Sequence, residues 1–322
     1  MQENSIHAQV MPTNALISNV ITNDYIKAAT SNNTRRSYRC DLQHFKYCGG
    51  LLPASPESII AYLQRNAATL NSRTLSRRLT ALKQWHVYQG FPDPTNYPMV
   101  RKTMAGIMNV HGKPKHKALA LTTEQLKKII EILRASNSLI DARDSALLQV
   151  GFFGAFRRSE LVNIKVEHIN KVREGIEILI PRSKTDQTGK GKVCAIPYGK
   201  EKICPVTAIV HWLNLANIKD GAVFRKITKH GTLGHTALVE ESITFIVRRA
   251  VAKLDNLKMQ DFSSHSLRRG FATSASKNGA SLPAIMRQGR WQHEGTVLEY
   301  IEESQRFEDN AADLVLTVIN NK

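Results

Sequence analysis

Apolar residues recur at helical spacing through most of this chain, and the exceptions fall in one short region. From Asn14 to Ala29 the series Leu16, Ile17, Val20, Ile21, Tyr25, Ile26 returns every three or four positions and predicts a helix. Ser31 or Asn32 caps a second helix over 31–48, carrying Tyr38, Leu42 and Phe45. Pro53 to Pro56 breaks the pattern, and Ser55 caps a helix with Ile59, Ile60, Tyr62 and Leu63. Asn71 or Ser72 opens the next, where Leu75, Leu79, Leu82, Trp85 and Tyr88 step by three or four until the Gly90–Pro94 turn. A further helix runs from about Pro98 to Val110. The pattern predicts an all-helical bundle.

His111–Lys117 holds no large apolar residue; five positive or titratable side chains surround a Gly and a Pro. This segment reads as a basic linker between two domains. Beyond it, Thr122-Thr123-Glu124-Gln125 resembles a capping box, and a buried helix covers 140–153. The β-branched runs 175–181 and 192–197 flank a Gly-containing turn, which predicts a small antiparallel hairpin. The remainder reads as helical: about 203–216, 240–254, 264–278, 281–288, 295–303 and 306–319. The expected layout is a flexible segment 1–15, a helical domain 16–110, a linker 111–120, an α+β domain 121–305 and a C-terminal helix within 306–322. The fold class is mainly α with a small antiparallel β-sheet.

Charge then narrows the partner. Lys plus Arg is 45 and Asp plus Glu is 27 in 322 residues, a net charge of +18. A basic, folded chain points to a polyanion, most simply nucleic acid, although a membrane surface or a ribosomal setting would also use the charge. The chain has no apolar run of membrane-span length and no signal-peptide pattern, so a cytoplasmic protein is expected. Cys40, Cys48, Cys194 and Cys204 fall in no metal-binding spacing, which argues against a zinc site or a disulfide framework. Candidate DNA contacts are Arg35, Arg36 and Arg39 on one helix, Arg73, Arg77, Arg78 and Lys83 on another, and Arg248 and Arg249 further on. Some would touch only phosphates and carry no sequence information.

Candidate chemistry is spread along the second domain. His265 and Arg268 lie three apart on a helix, on the shoulder of the stripe Leu267, Phe271, Ala275, which suits a half-buried pair facing a cleft. Arg157 and Glu160 are also three apart, at the start of a helix. Arginine is disfavoured there by the helix dipole unless the site receives an anion. Lys184 lies at the hairpin turn, where a lysine aimed into a cleft would protonate a leaving oxygen; Lys190 and Lys192 compete for that role. Trp291 and Tyr300 follow. Arginines to neutralise a phosphate, a histidine or tryptophan to orient it and a tyrosine to attack it are what phosphodiester chemistry without a metal needs.

The series Arg157, Lys184, His265-Ser-Leu-Arg268, Trp291, Tyr300 resembles the active-site signature of the tyrosine recombinases, the phage-integrase family. Phe156-Arg157-Arg158-Ser159-Glu160-Leu161 is similar to that family's first arginine box, with the arginine three residues before the acidic one. Trp291 stands nine residues before Tyr300, where many members have a second histidine, as in the Cre-like variant. The resemblance extends over about residues 20–320, the first domain being similar to the family's core-binding domain. It implies a C-shaped clamp on double-stranded DNA, and site-specific integration, excision or resolution through a 3′-phosphotyrosine. It further implies no cofactor or metal, a homotetramer on two DNA sites with accessory DNA-bending proteins, and a place at the nucleoid of a prokaryotic host. By the same resemblance Tyr300 attacks, Arg157 and Arg268 clamp the phosphate, His265 binds it or accepts the tyrosine proton, Lys184 protonates the leaving oxygen, Trp291 donates its indole N–H, and Glu160 supports. The rival readings are a type IB topoisomerase and a DNA-binding accessory protein without catalysis.

Overall fold

A computed structural model describes residues 28–136, 138–183, 186, 189–200, 203–304 and 310–320. The helix expected over 14–29 and the segment 1–15 lie outside these, apart from residues 28 and 29. The chain forms two compact units that meet at His116 and Lys117, inside the stretch read as the linker. No helix among the described residues is long and apolar enough to cross a membrane.

Among the described residues the first unit has the α-helices α1 (Asn32–Tyr47), α2 (Pro56–Asn66), α3 (Ser72–Tyr88) and α4 (Pro98–His111). Each of the first three starts at a side chain that accepts a backbone N–H of the first turn: Ser31 from Thr34, Ser55 from Ser58, Asn71 from Arg73. Such caps satisfy donors the helix itself leaves orphaned. Phe45, Ile59, Leu63, Leu75, Leu82 and Val100 make the core, with α1 packed on α3 and α2 on α4.

One buried acid locks α1 to α3. Asp41 is 2% exposed and receives both a two-point bond from Arg77 (2.8 and 2.8 Å) and an ion pair with Arg78 at 3.5 Å. Arg78 also donates to the Tyr62 hydroxyl at 2.8 Å, and its side chain is only 11% exposed. Arg78, expected on the DNA face, is therefore spent inside the unit. Removing one partner of such a pair strands the other's charge. Asp41→Ala should lower the unit's stability by about 3 kcal/mol, read as a lower denaturant midpoint; an unchanged midpoint would show that the cluster contributes nothing.

The second unit is built around α6 (Leu139–Phe153), buried on all sides from Arg143 to Phe152. Around it pack α5 (Thr123–Arg134), α8 (Pro205–Leu215) and α10 (Ser264–Lys277). The capping box at Thr122 and Gln125 is formed as the sequence predicts. The short α7 (Arg158–Val162) follows α6, then β1 (Ile169–Val172), β2 (Gly175–Ile180) and β3 (Lys192–Pro197) in one antiparallel sheet of that order. Ile176, Ile178 and Ile180 alternate inward on β2, against Cys194 and Ile196 of β3. A second hairpin, β4 (Arg225–Ile227) and β5 (Leu233–Ala237), precedes α9 (Glu240–Val251). After α10 come α11 (Leu282–Gly289), α12 (Glu294–Ser304) and α13 (Ala311–Asn320).

The sequence pattern predicts only the β2–β3 hairpin. β1 escapes because its middle pair, Asn170-Lys171, is polar and exposed, and β4–β5 because its strands are short and no residue of either is fully buried. The turn between β2 and β3 is organised by Asp186, whose carboxylate accepts the N–H groups of Gly189 (3.1 Å), Lys190 (3.3 Å) and Gly191 (2.8 Å). Gly189 and Gly191 both have positive φ, 74° and 72°, which only glycine adopts without strain. Lys184 lies outside the described residues; Ser183 and Asp186 on either side of its segment exchange backbone hydrogen bonds at 3.2 and 3.1 Å. Lys190 and Lys192 are exposed.

The segment from Lys117 to Leu121 is strapped onto α10 and α12. Leu119 N–H donates to the Asp261 carbonyl (2.8 Å), Leu121 N–H to the Ser266 carbonyl (3.0 Å), and Arg269 donates to the Ala118 carbonyl at 2.6 Å. Lys117 pairs with Glu299 on α12.

Candidate active site

The site grows from the turn after α6. Gly154 and Ala155 end that helix, with Ala155 in the left-handed region at φ 44°. A side chain at 154 would meet the Phe156 ring 2.2 Å away, so glycine is required there. This turn points two backbone carbonyls at buried arginines. Arg268 donates to the Ala155 carbonyl, and Arg290 to the Gly154 carbonyl at 3.1 Å.

Arg157 follows as the residue capping α7. Glu160, one turn on, folds back so that Oε2 accepts the Arg157 backbone N–H (3.0 Å) and Oε1 accepts the Arg157 guanidinium (2.6 Å). Glu160 is 4% exposed and its Oε2 also receives Arg290 at 3.0 Å. Burial pushes the Glu160 carboxyl up. The Arg290 charge, the Arg157 N–H and the Arg157 guanidinium outweigh it and hold the group below the usual carboxylate range. The dipole conflict at the helix start is thus resolved by an acid bound at the N-terminus.

Arg268 projects from α10 and is 5% exposed. Its guanidinium lies over the Trp291 ring, 3.9 Å from the centroid, and Nη2 has no hydrogen-bond partner. Burial, with Arg157 and Arg290 close by, pulls its pKa down to about 9, while Glu160 and Tyr300 push it back up. Glu160 pairs with the Arg157 and Arg290 guanidiniums, and the Arg268 guanidinium close by leaves positive charge in excess over this single carboxylate. A half-buried excess of this kind with an unbonded donor is suited to receive an anion.

Trp291 bridges that cluster to Tyr300. The two rings meet edge to face with centroids 6.4 Å apart, and both pack with Ile285 and Val297 in a small core between α10, α11 and α12. Tyr300 stands half-buried on α12. His265 sits in the first turn of α10, exposed, its backbone N–H capped by the Ser263 hydroxyl at 3.2 Å. His265 is thus exposed, while Arg268, three residues on along the same helix, is buried.

The structure gathers Arg157, Glu160, Arg268, Trp291 and Tyr300. Two further arginines join them that the sequence motifs do not single out. Arg269 lies over the Tyr300 ring, 5.4 Å from its centroid. Arg290 stacks on Phe156 at 4.7 Å and holds Glu160. Their only sequence signal is adjacency to Arg268 and Trp291. Arg248 and Arg249, expected at the DNA, also make internal bonds: Arg248 to the Phe262 carbonyl at 2.9 Å, and Arg249 to the buried Asp144.

A family model described as "Phage integrase family" matches residues 119–306. The integrase/recombinase xerD homolog of Selenomonas ruminantium is 38% identical over 295 residues, 89% of this chain and 86% of that one. Recombinase cre of Escherichia phage P1 is 26% identical over 279 residues, 81% of this chain and 79% of that one. In fold, the chain is similar to the XerH site-specific recombinase in a post-cleavage complex with a palindromic difH substrate, with a TM-score of 0.62 and 18% identity over 88% of this chain and 79% of that one. It is likewise similar to the Tn1549 transposon integrase in complex with transposon right-end DNA, with a TM-score of 0.60 and 12% identity over 91% and 96%. The buried arginine cluster around the Gly154–Ala155 turn and the tyrosine beside it thus sit within the matched region, and the chain belongs to the phage integrase family of tyrosine recombinases.

Proposed function

We propose that this site-specific recombinase cuts and rejoins duplex DNA through Tyr300. The observation that carries the reading is Arg268: a buried guanidinium with an unbonded Nη2, stacked on Trp291 beside the half-buried tyrosine. A scissile phosphate placed against that donor would supply the counter-charge that the three guanidiniums lack. Tyr300 Oη forms the new bond to phosphorus and the bond to the 5′ oxygen breaks, leaving a 3′-phosphotyrosine and a free 5′-hydroxyl. A phenol ionises near pH 10, so its proton needs an acceptor; His265, on the exposed turn of α10, fills that role. Lys184 delivers a proton to the departing oxygen. Arg157 and Arg268 neutralise the charge that grows on the nonbridging oxygens. Because the phosphotyrosine ester retains the bond energy, a 5′-hydroxyl from another strand reseals it by the reverse attack without a nucleoside triphosphate.

Arg36, Arg39, Arg73 and Lys83 remain exposed and are the best placed phosphate contacts of the first unit. Arg35, Arg77, Arg248 and Arg249 are tied into the protein by the bonds they make and would contribute charge more than base reading. The C-terminal helix α13 leaves Val315 59% and Leu316 53% exposed. This supports a helix docked on a neighbouring protomer in a tetramer holding two DNA sites. Deleting residues 306–322 should leave single-site binding in place and abolish pairing of two sites in a native gel; intact pairing removes the proposal. The setting that fits is the cytoplasm, at the nucleoid of a prokaryotic host, with accessory DNA-bending proteins where the target requires them.

The test of the function is covalent capture. Incubated with a library of nicked duplexes, the protein should leave denaturant-resistant adducts that map to one sequence class. Binding without any adduct would favour a non-catalytic accessory protein, and adducts at unrelated sequences with relaxation of supercoils would favour a topoisomerase.

A further inference from the structure

Arg290 occupies a backbone position that an arginine should avoid. It ends α11 with φ 57° and ψ 41°, the left-handed conformation. Its N–H bonds to the Met286 and Arg287 carbonyls, and the next N–H, of Trp291, returns to the Met286 carbonyl at 3.0 Å. This is the helix-ending motif in which glycine is the usual left-handed residue. A residue with a Cβ is held there at a cost unless its side chain offsets it.

The side chain does so inside the protein. Arg290 is 4% exposed and donates to Gly154 O (3.1 Å), Gln288 O (2.7 Å) and Glu160 Oε2 (3.0 Å), with its guanidinium over Phe156. Gln288 fixes the same corner by donating to the Phe153 and Ala195 carbonyls, at 2.9 Å each. A buried charge needs a partner, and here the partner is the carboxylate whose other oxygen grips Arg157 at 2.6 Å. The Arg290 and Arg157 guanidiniums thus hold opposite oxygens of one buried acid, with the Arg157 backbone N–H sharing Oε2 with Arg290.

We propose that Arg290 is a positioning residue for strand cleavage: it anchors Glu160, and Glu160 aims the Arg157 guanidinium at the scissile phosphate. This rests on the reading of Tyr300 and its arginines as the cleavage site. The geometry explains why a left-handed arginine is kept where glycine would relax the backbone. It also makes a pH-dependent consequence. The charged and titratable groups that face Glu160 are Arg157 from α7, Arg268 from α10, Arg290 and Cys194 from β3. With Arg290 present the carboxyl is held below its ordinary value. Without it, burial is opposed by Arg157 and Arg268 alone, so the carboxyl pKa rises and a protonated Glu160 releases Arg157.

The experiment uses the full chain and a nicked duplex carrying the sequence captured by the wild type. Single-turnover adduct formation at saturating DNA is measured from mildly acid to neutral pH for wild type, Arg290→Gly, Glu160→Gln and the double variant. Glycine suits φ 57°, so Arg290→Gly should still fold, as circular dichroism checks. The expected result is roughly a 30-fold loss of cleavage rate at neutral pH, with DNA affinity within about threefold of wild type. The ratio of wild-type to variant rate should grow as pH falls, beyond any decline the two share through the base that takes the tyrosine proton. In the Glu160→Gln background, removing Arg290 should cost nothing more. Wild-type cleavage rate and pH profile in Arg290→Gly, or full additivity in the double variant, overturns the proposal. If Arg290→Gly does not fold, Arg290→Lys, which keeps one donor and the charge, must show partial activity with the same acid trend or the proposal falls. A wild-type protein that forms no adduct overturns the reading of Tyr300, and this inference with it.

Discussion

Tyr300→Phe is expected to abolish covalent capture of DNA while leaving DNA affinity unchanged. The substitution deletes one hydroxyl. The ring that packs edge to face on Trp291 and beneath Arg269 stays, as does the small core of Ile285 and Val297 beneath it. The arginines proposed to bind the phosphate, Arg157 and Arg268, are on other elements and are untouched. Loss of a nucleophile costs an enzyme on the order of 10⁶ in rate, below detection in an adduct assay. Denaturing gels of protein and nicked duplex read the outcome, with binding measured in parallel. Adduct from the Phe variant would move the nucleophile to another tyrosine and break the reading of the site.

Arg268→Lys should be nearly as damaging, although it keeps a positive charge. The guanidinium does three things at once: it donates to the Ala155 carbonyl, it covers the Trp291 ring, and it leaves Nη2 free to bind. An ammonium has no planar fork and cannot hold the carbonyl while facing a phosphate in a fixed direction. Because the lost donor acts on charge that develops during the reaction, cleavage should fall roughly 10²–10³-fold with little change in binding. Single-turnover rates at saturating DNA test this. A lysine variant cleaving within about threefold of wild type would show that charge alone suffices at this position, and that the unbonded Nη2 has no part in the chemistry.

Helical periodicity made most of the architecture legible, because helices that bury one face repeat their apolar residues. Local caps such as Thr122 and Gln125 were equally visible, since they depend on neighbours in sequence. The β4–β5 hairpin was not, as its short strands bury almost nothing and so leave no alternation. Of the spaced motif, Arg157, Arg268, Trp291 and Tyr300 come together in the structure, whereas His265 stays exposed. What the motif could not convey is which charges go inside. Arg78 reads as a DNA contact, and neither Asp41 nor Arg290 belongs to any motif, yet each is buried by a partner far away in sequence. Pairing across elements has no period, so a buried arginine and an exposed one look alike until the fold brings the acid or carbonyl to it.

The strap from Lys117 to Leu121 bears on where this protein can be divided. The matched family region begins at residue 119, and a fragment cut there would look complete by similarity. It would lack the Ala118 carbonyl that receives Arg269, the arginine lying over the Tyr300 ring. It would also lack Lys117, the counter-ion of the glutamate immediately before that tyrosine. Such a fragment loses one restraint on α12, which carries Tyr300, and one on Arg269 of α10, whereas one beginning before Lys117 keeps both. The second unit thus begins upstream of the region the family model recognises, at Lys117 rather than at residue 119.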